Sequence, residues 1–263
     1  MSTCFAVSRD GSRVAYEVCG HGPAVLLLHG GGGSRREWFA AGYAARLEHE
    51  FTVIAIDLRG HGESSLPTAT FYYTIEKQLE DILAVADACR AEHFSLWGMS
   101  YGGKVGRYLA ARSGRVDACV LMGTPLGPGV TGRLRQQAVD FCAHWPPLLA
   151  AQRDGSLDAG SLSCGDQELL RSQNLPVMLG WVRAMLDWPA IAPGDFRCPT
   201  LWLVGGQDAD ALASVREYES ELGGTQLRLE ILAGLDHDQL FDQIDRVFPI
   251  LQAFTRQALG GGA

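Results

Sequence analysis

Residues 98–103 read Gly98-Met99-Ser100-Tyr101-Gly102-Gly103 and follow the apolar stretch Phe94-Ser95-Leu96-Trp97. A strand that enters Gly-x-Ser-x-Gly and leaves as a helix has the sequence form of a nucleophile elbow. In so sharp a turn, side chains at the two flanking glycine positions would strike neighbouring backbone, and glycine also tolerates the strained angles. The expected product is a serine hydroxyl exposed at the top of a sheet, beside a helix N-terminus. A hydroxyl is a weak nucleophile, so it needs a base within hydrogen-bond reach and a third group that orients the base. In this topology an acid and then a histidine follow the serine, each on a loop after a strand. The chain supplies Gly205-Gly206-Gln207-Asp208-Ala209-Asp210 after apolar residues 201–204, and Ala233-Gly234-Leu235-Asp236-His237-Asp238 after residues 227–232. The candidate catalytic residues are Ser100, His237 and an aspartate at 208 or 210. A further run, His29-Gly30-Gly31-Gly32-Gly33-Ser34, lets backbone N–H groups approach a developing oxyanion. The expected oxyanion-hole donors are the N–H groups of Gly31 and Tyr101.

These loops need strands to aim them. Short β-rich runs occur at 13–18, 24–28, 51–56, 94–97, 118–122, 200–204 and 227–232. Near-continuous apolar runs suit strands covered on both faces, and 13–18 and 24–28 are expected to open the sheet as a pair. Amphipathic helices lie between them. Thr74 is a plausible N-cap, with Ile75, Leu79, Ile82, Leu83, Ala86 and Cys89 as one apolar stripe. Residues 101–112 and 212–222 read similarly. The alternation predicts an α/β fold with a doubly wound, mostly parallel sheet. Residues 124–196 contain no convincing strand and open with Pro125, Gly127, Pro128 and Gly129. Helices are expected near 133–144, 167–172 and 177–187, separated by Pro146-Pro147 and a polar stretch at 154–165. This segment reads as an inserted helical cap, leaving 1–123 and 197–263 as the core. The tail Gly260-Gly261-Gly262-Ala263 is expected to fray.

At 263 residues, 47% hydrophobic and 20% charged, the chain suits one large domain with a sizeable core. A net charge of −8 argues against nucleic acid and anionic membrane surfaces as partners, leaving a small-molecule substrate. No apolar run approaches the ~20 residues of a membrane helix, and the N-terminus lacks the basic start and apolar core of a signal peptide. Seven cysteines, an odd number without a Cys-x-x-Cys pair, read as reduced, mostly buried thiols of a cytoplasmic protein. No metal-ligand spacing occurs, and no cofactor is expected. Oligomeric state is not encoded in any pattern.

The motifs together resemble the α/β-hydrolase fold superfamily over nearly the whole chain. His29-Gly30 with its glycines, Asp57-Leu58-Arg59-Gly60-His61-Gly62-Glu63-Ser64, the 98–103 elbow, Gly205-Gly206-Gln207-Asp208 and the late His237 occur in that family's order and approximate spacing. The Asp57–Ser64 run is similar to that of small bacterial esterases, perhydrolases, enol-lactonases and epoxide hydrolases. Epoxide hydrolases and haloalkane dehalogenases use aspartate as nucleophile, so Ser100 argues against both. Meta-cleavage carbon–carbon hydrolases usually differ at 57–64. The family pattern Gly-x-x-Asp picks Asp208 over Asp210. Members commonly carry a small residue before the histidine. Here it is Asp236, with Asp238 following, and a carboxylate there either raises the histidine pKa or points to solvent. The resemblance implies hydrolysis of a small to medium apolar carboxylic ester or lactone through an acyl-enzyme. Perhydrolysis, thioester or carbon–carbon cleavage, and lyase or cyclase chemistry remain alternatives on the same triad. A non-catalytic ligand-binding receptor with this fold is the reading from another class.

Other residues carry weaker signals. Gly98 to Lys104 matches a phosphate-binding loop through its lysine, but Val105 stands where the Mg²⁺-binding hydroxyl belongs. His29 and His61 read as turn-stabilising residues, and Asp57 as the anchor of the 59–62 loop. Arg35 and Arg36 read as a solvated helix start, with a substrate carboxylate as the alternative partner. His21, His49, His93 and His144 have no partner pattern. The candidate substrate pocket comprises Gly30, Gly32, Trp38, Trp145, Met178, Trp181 and Met185, with Trp188 nearby. At helical spacing the cap members read equally well as core between cap and sheet.

Overall fold

A computed structural model describes residues 2–260. Eight strands form one sheet: β1 (Cys4–Val7), β2 (Arg13–Gly20), β3 (Ala24–Leu28), β4 (Thr52–Ile56), β5 (Phe94–Met99), β6 (Val116–Met122), β7 (Thr200–Gly205) and β8 (Leu227–Leu232). Their order is β1-β2-β4-β3-β5-β6-β7-β8, with β2 antiparallel to both neighbours and every later pairing parallel. The expected pairing of 13–18 with 24–28 is corrected: β3 lies between β4 and β5, and β2 pairs with β1 and β4. Residues 25–28 are buried on both faces, which an interior parallel position supplies, whereas β2 alternates in exposure towards its end. Strand β1 went unread because only Ala6 of its four residues is buried.

The helices are α1 (Arg36–Ala40), α2 (Tyr43–Leu47), α3 (Ile75–Ala88), α4 (Tyr101–Arg112), α5 (Gly132–Asp154), α6 (Cys164–Ser172), α7 (Leu175–Met185), α8 (Ala209–Tyr218), α9 (Gln239–Asp242) and α10 (Ile244–Gly260). Two apolar layers result. Helices α3, α4 and α8 pack on one face of the sheet, with α7 joining the same apolar cluster, and α1, α2, α9 and α10 lie on the other. The α3 stripe faces the first layer, with Ile75, Leu79, Ile82 and Ala86 buried and Leu83 and Cys89 partly so. Thr74 holds the N-cap position, but its hydroxyl makes no capping bond. Helix α8 starts three residues earlier than expected because Asp208 caps it, accepting from Ala211 N–H at 3.0 Å.

Between β6 and β7 lie α5, α6 and α7, with one isolated bridge, Gly127 to Ile191, and no strand. The proline pair does not divide the first of these helices. Pro146 cannot donate to the Cys142 carbonyl, and Arg183 Nη2 from α7 reaches that oxygen at 3.4 Å. Gly155, at φ +79°, ends α5 instead. Gly260 closes α10 rather than fraying, and 261–263 lie outside the described residues. All seven cysteines are unpaired; Cys119 and Cys198 are buried, four are half-buried and Cys164 is exposed, so burial is less general than expected. No helix among the described residues is long and apolar enough to cross a membrane.

A buried ion pair fixes the two loops beneath the β3 and β4 ends. Asp57 accepts from the Arg35 backbone at 2.7 Å and the Glu63 backbone at 2.8 Å, and also meets the Arg35 guanidinium. Arg35 further reaches Glu17 at 2.9 Å. Arg35 is therefore neither solvated nor turned to a cavity, a correction of both sequence readings: three carboxylates recruit it inward. Arg36 alone stays exposed, paired to Glu63.

Candidate active site

The elbow follows from its glycines. Ser100 sits at φ +50°, ψ −107°, outside the usual regions for a side-chain-bearing residue. A Cβ at Gly98 would lie 2.6 Å from the Gly102 carbonyl carbon, and one at Gly102 would lie 2.3 Å from the Leu28 oxygen. Only glycine lets β5, β3 and α4 approach so closely. Ser100 N–H is held by the Met122 carbonyl at 2.9 Å, and its own carbonyl starts α4 through Lys104 N–H at 2.9 Å.

The loop after β7 brings Asp208 and the loop after β8 brings His237. Their side chains meet, His237 Nδ1 to Asp208 Oδ2, at 2.7 Å. Asp208 is buried, with 5% of its side chain exposed, while His237 keeps 39%. The bond to Asp208 raises the His237 pKa, desolvation opposes this, and Asp238 adds to the rise. Burial pushes the Asp208 carboxyl up, but the His237 bond and the Ala211 N–H outweigh it and leave it below the usual range. Asp210 does not meet the histidine. It binds Arg133 Nε at 3.2 Å. The Asp236 carboxylate accepts from the Gln239 N–H at 2.8 Å. With Nδ1–H donated to Asp208, Nε2 is the basic atom. Ser100 and His237 line the same two cavities, and no hydrogen bond joins them among the described residues. Such bonds often tighten only when substrate arrives.

His29 ties the glycine loop in place. Its Nδ1 meets Gly30 O at 2.7 Å and its Nε2 accepts from Leu58 N–H at 3.0 Å. Burial lowers its pKa to about 4 and that of His61 to about 3, so both are neutral at pH 7. Among the described residues, no backbone acceptor takes the Gly31 or Tyr101 N–H. Gly31 stands against the Tyr101 Cβ and Trp181, at the cavity wall.

The main cavity, about 610 Å³, lies between the strand ends and helices α5 and α7. Leu134, Phe141, Met178, Trp181 and Met185 give it an apolar wall, and Ser100, Asp208 and His237 stand on the other side. A second space of about 460 Å³ opens at Gly30, Gly31, Glu37, Ser100 and His237. Gly32 borders a smaller separate pocket with His61 and Gln173.

Two pocket expectations are corrected. Trp38 is fully buried on the opposite face of the sheet, edge-on to Tyr43 and Phe241, because α1 packs into the second apolar layer. Trp145 is buried against Phe141 and His144, one turn beyond the last α5 residue on the cavity wall. Sequence reasoning missed Phe141, Arg133 and Lys104 as lining residues. The phosphate-loop likeness had singled out Lys104, but for another chemistry.

The chain shows the marks of a known fold family. A family model for the alpha/beta hydrolase fold matches residues 23–141. A solved esterase from a Rhodococcus species is 26% identical, with TM-score 0.66, covering 97% of this chain and 99% of that one. The enol-lactonase from Burkholderia xenovorans is 23% identical, with TM-score 0.73, covering 96% and 99%. An uncharacterised protein of Mycobacterium tuberculosis is 40% identical over 101 residues, or 38% of this chain; the match spans only 28% of that relative. The chain has the α/β-hydrolase fold.

Proposed function

We propose that the chain is a serine hydrolase that cleaves a small to medium apolar carboxylic ester or lactone. The observation that carries this reading is the Asp208–His237 pair beside a strained Ser100 at one wall of an apolar cavity. His237 Nε2 takes the Ser100 proton as Oγ attacks the carbonyl carbon. The resulting oxyanion is received by the Gly31 and Tyr101 N–H groups. The carbonyl reforms, the ester bond breaks, and the protonated His237 hands its proton to the leaving oxygen. Water, deprotonated by His237, then releases the acyl group and restores Ser100. Asp208 holds the imidazole tautomer and stabilises its cation. The esterase and enol-lactonase among the similar structures favour this substrate class.

A fluorophosphonate probe tests the nucleophile. The native chain is expected to be labelled and Ser100→Ala to stay unlabelled. An unlabelled native chain that small apolar ligands still stabilise thermally would instead indicate a binding module. The pH dependence follows from the pair. Asp208 favours the imidazolium, so the basic form of His237 becomes predominant only at a pH above its ordinary value of 6.5. Hydrolysis should therefore rise along a limb lying above pH 6.5, and Asp208→Asn should move that limb to lower pH. A rate flat from about pH 5 to about pH 9 would exclude a histidine base.

A further inference from the structure

Lys104 stands one turn after Ser100 on α4, in the wall of the main cavity, with 7% of its surface exposed. Its ammonium donates to one neutral oxygen, the Gly129 carbonyl at 3.1 Å, although it carries three N–H donors. The charged groups around it are all engaged elsewhere. Asp208 holds His237, and Asp210 holds Arg133. Arg107, on the next turn of α4, donates to the Pro125 and Pro128 carbonyls. The same cavity is lined by the apolar Val130, Leu134 and Phe141. A buried ammonium held by one carbonyl is costly, and a Met or Leu would line such a wall at lower cost. The feature is explained if the missing partner arrives with the ligand.

We propose that Lys104 is a specificity-determining residue whose ammonium receives a carboxylate, or an equivalent anionic group, on the body of the substrate away from the scissile bond. This rests on the ester-hydrolase reading of the same cavity. The apolar wall then takes the methylene chain between the two ends, so the substrate class narrows to half-esters of dicarboxylic acids and their like. Burial and the Arg107 charge lower the Lys104 pKa to about 7, while Asp210 and Asp208 support its charge; Arg133, His237, Asp236, Asp238 and the Tyr101 phenol are the other titratable and charged groups of the cavity lining. The preference for an anionic substrate should accordingly weaken above neutral pH.

The test compares p-nitrophenyl hemiglutarate with p-nitrophenyl 5-methylhexanoate, which replaces the carboxylate by an isosteric uncharged group. Two readouts serve: kcat/KM in the native chain, and calorimetric Kd in Ser100→Ala, where binding needs no turnover. The carboxylated ester is expected to be favoured about tenfold or more in both, the scale of a charged hydrogen bond. Lys104→Gln should bring the ratio to about one or below, and Lys104→Arg should retain a preference. A ratio near one in the Ser100→Ala chain, or an unchanged ratio in folded Lys104→Gln, overturns the proposal. The reading of Ser100 fails separately, if Ser100→Ala hydrolyses both esters at the native rate, and the kcat/KM ratios in the native and Lys104→Gln chains still judge Lys104.

Discussion

Hydrolysis of an uncharged aryl ester should fall about 10⁶-fold in Ser100→Ala and about 10⁴-fold in Asp208→Asn, by the scale measured for serine proteases. Asp210→Asn should stay within about tenfold of the native rate, since exposed pairs such as Asp210–Arg133 are individually weak. The contrast is sharp because the two aspartates are separated by one residue and differ in what they touch. Asp208 is nearly inaccessible and holds His237 Nδ1 at 2.7 Å. Removing its charge leaves an imidazole free to present its proton to Ser100 instead of its lone pair. Asp210 points to Arg133 on α5 and reaches no part of the relay. Steady-state kcat on the three variants, with thermal melts to verify folding, decides the matter. A large loss in Asp210→Asn with native activity in Asp208→Asn would reverse the assignment.

Asp57→Ala should cost about 3–5 kcal/mol of stability, because it leaves the buried Arg35 charge without its main partner. At roughly 2–4 °C per kcal/mol for a domain of this size, the melting temperature should drop by roughly 6–20 °C. The side chains of Arg35 and Asp57 are 1% and 0% exposed, so solvent cannot take over either role. Two backbone N–H groups, of Arg35 and Glu63, also lose their acceptor. Arg35 immediately follows the glycine loop, so Gly31 should become less well placed even where the chain still folds. Calorimetric melts of Asp57→Ala against the native chain measure the effect. A shift below about 2 °C would mean that Glu17 and Glu63 suffice to hold Arg35.

The parts of this molecule that were legible in the sequence are those in which local chemistry leaves one option. Glycines at 98 and 102 are demanded by backbone that passes within a side chain's radius, and the strand–elbow–helix order followed from them. The helical insertion could be read because residues 124–196 offer no apolar run of strand type. What escaped reading depends on partners distant in sequence. Whether Trp38 faces a ligand or the core is set by Tyr43 and Phe241, the latter two hundred positions on. Arg35 looked solvated because the carboxylates that bury it lie on β2 and the 57–63 loop. The Pro146-Pro147 pair looked like a break because the Arg183 contact that serves the orphaned carbonyl comes from another helix. Strand β2 was paired with the wrong neighbour because hydrophobic pattern specifies burial and leaves adjacency open.

The grip of α4 on the β6–α5 connection has a consequence for how this protein can change. Lys104 and Arg107 hold the carbonyls of Pro125, Pro128 and Gly129, so the root of the inserted helices is fastened to the helix that begins after Ser100. The apolar wall from α5 and α7 is thus delivered in a fixed pose, yet it contributes no member of the Asp208–His237 pair. Substitutions at Leu134, Phe141, Met178 or Met185 can reshape what is admitted while the acid and base stay where β7 and β8 put them. The molecule is in this sense a replaceable mould clamped to a permanent tool, and variation confined to the mould is the cheapest route to a new substrate.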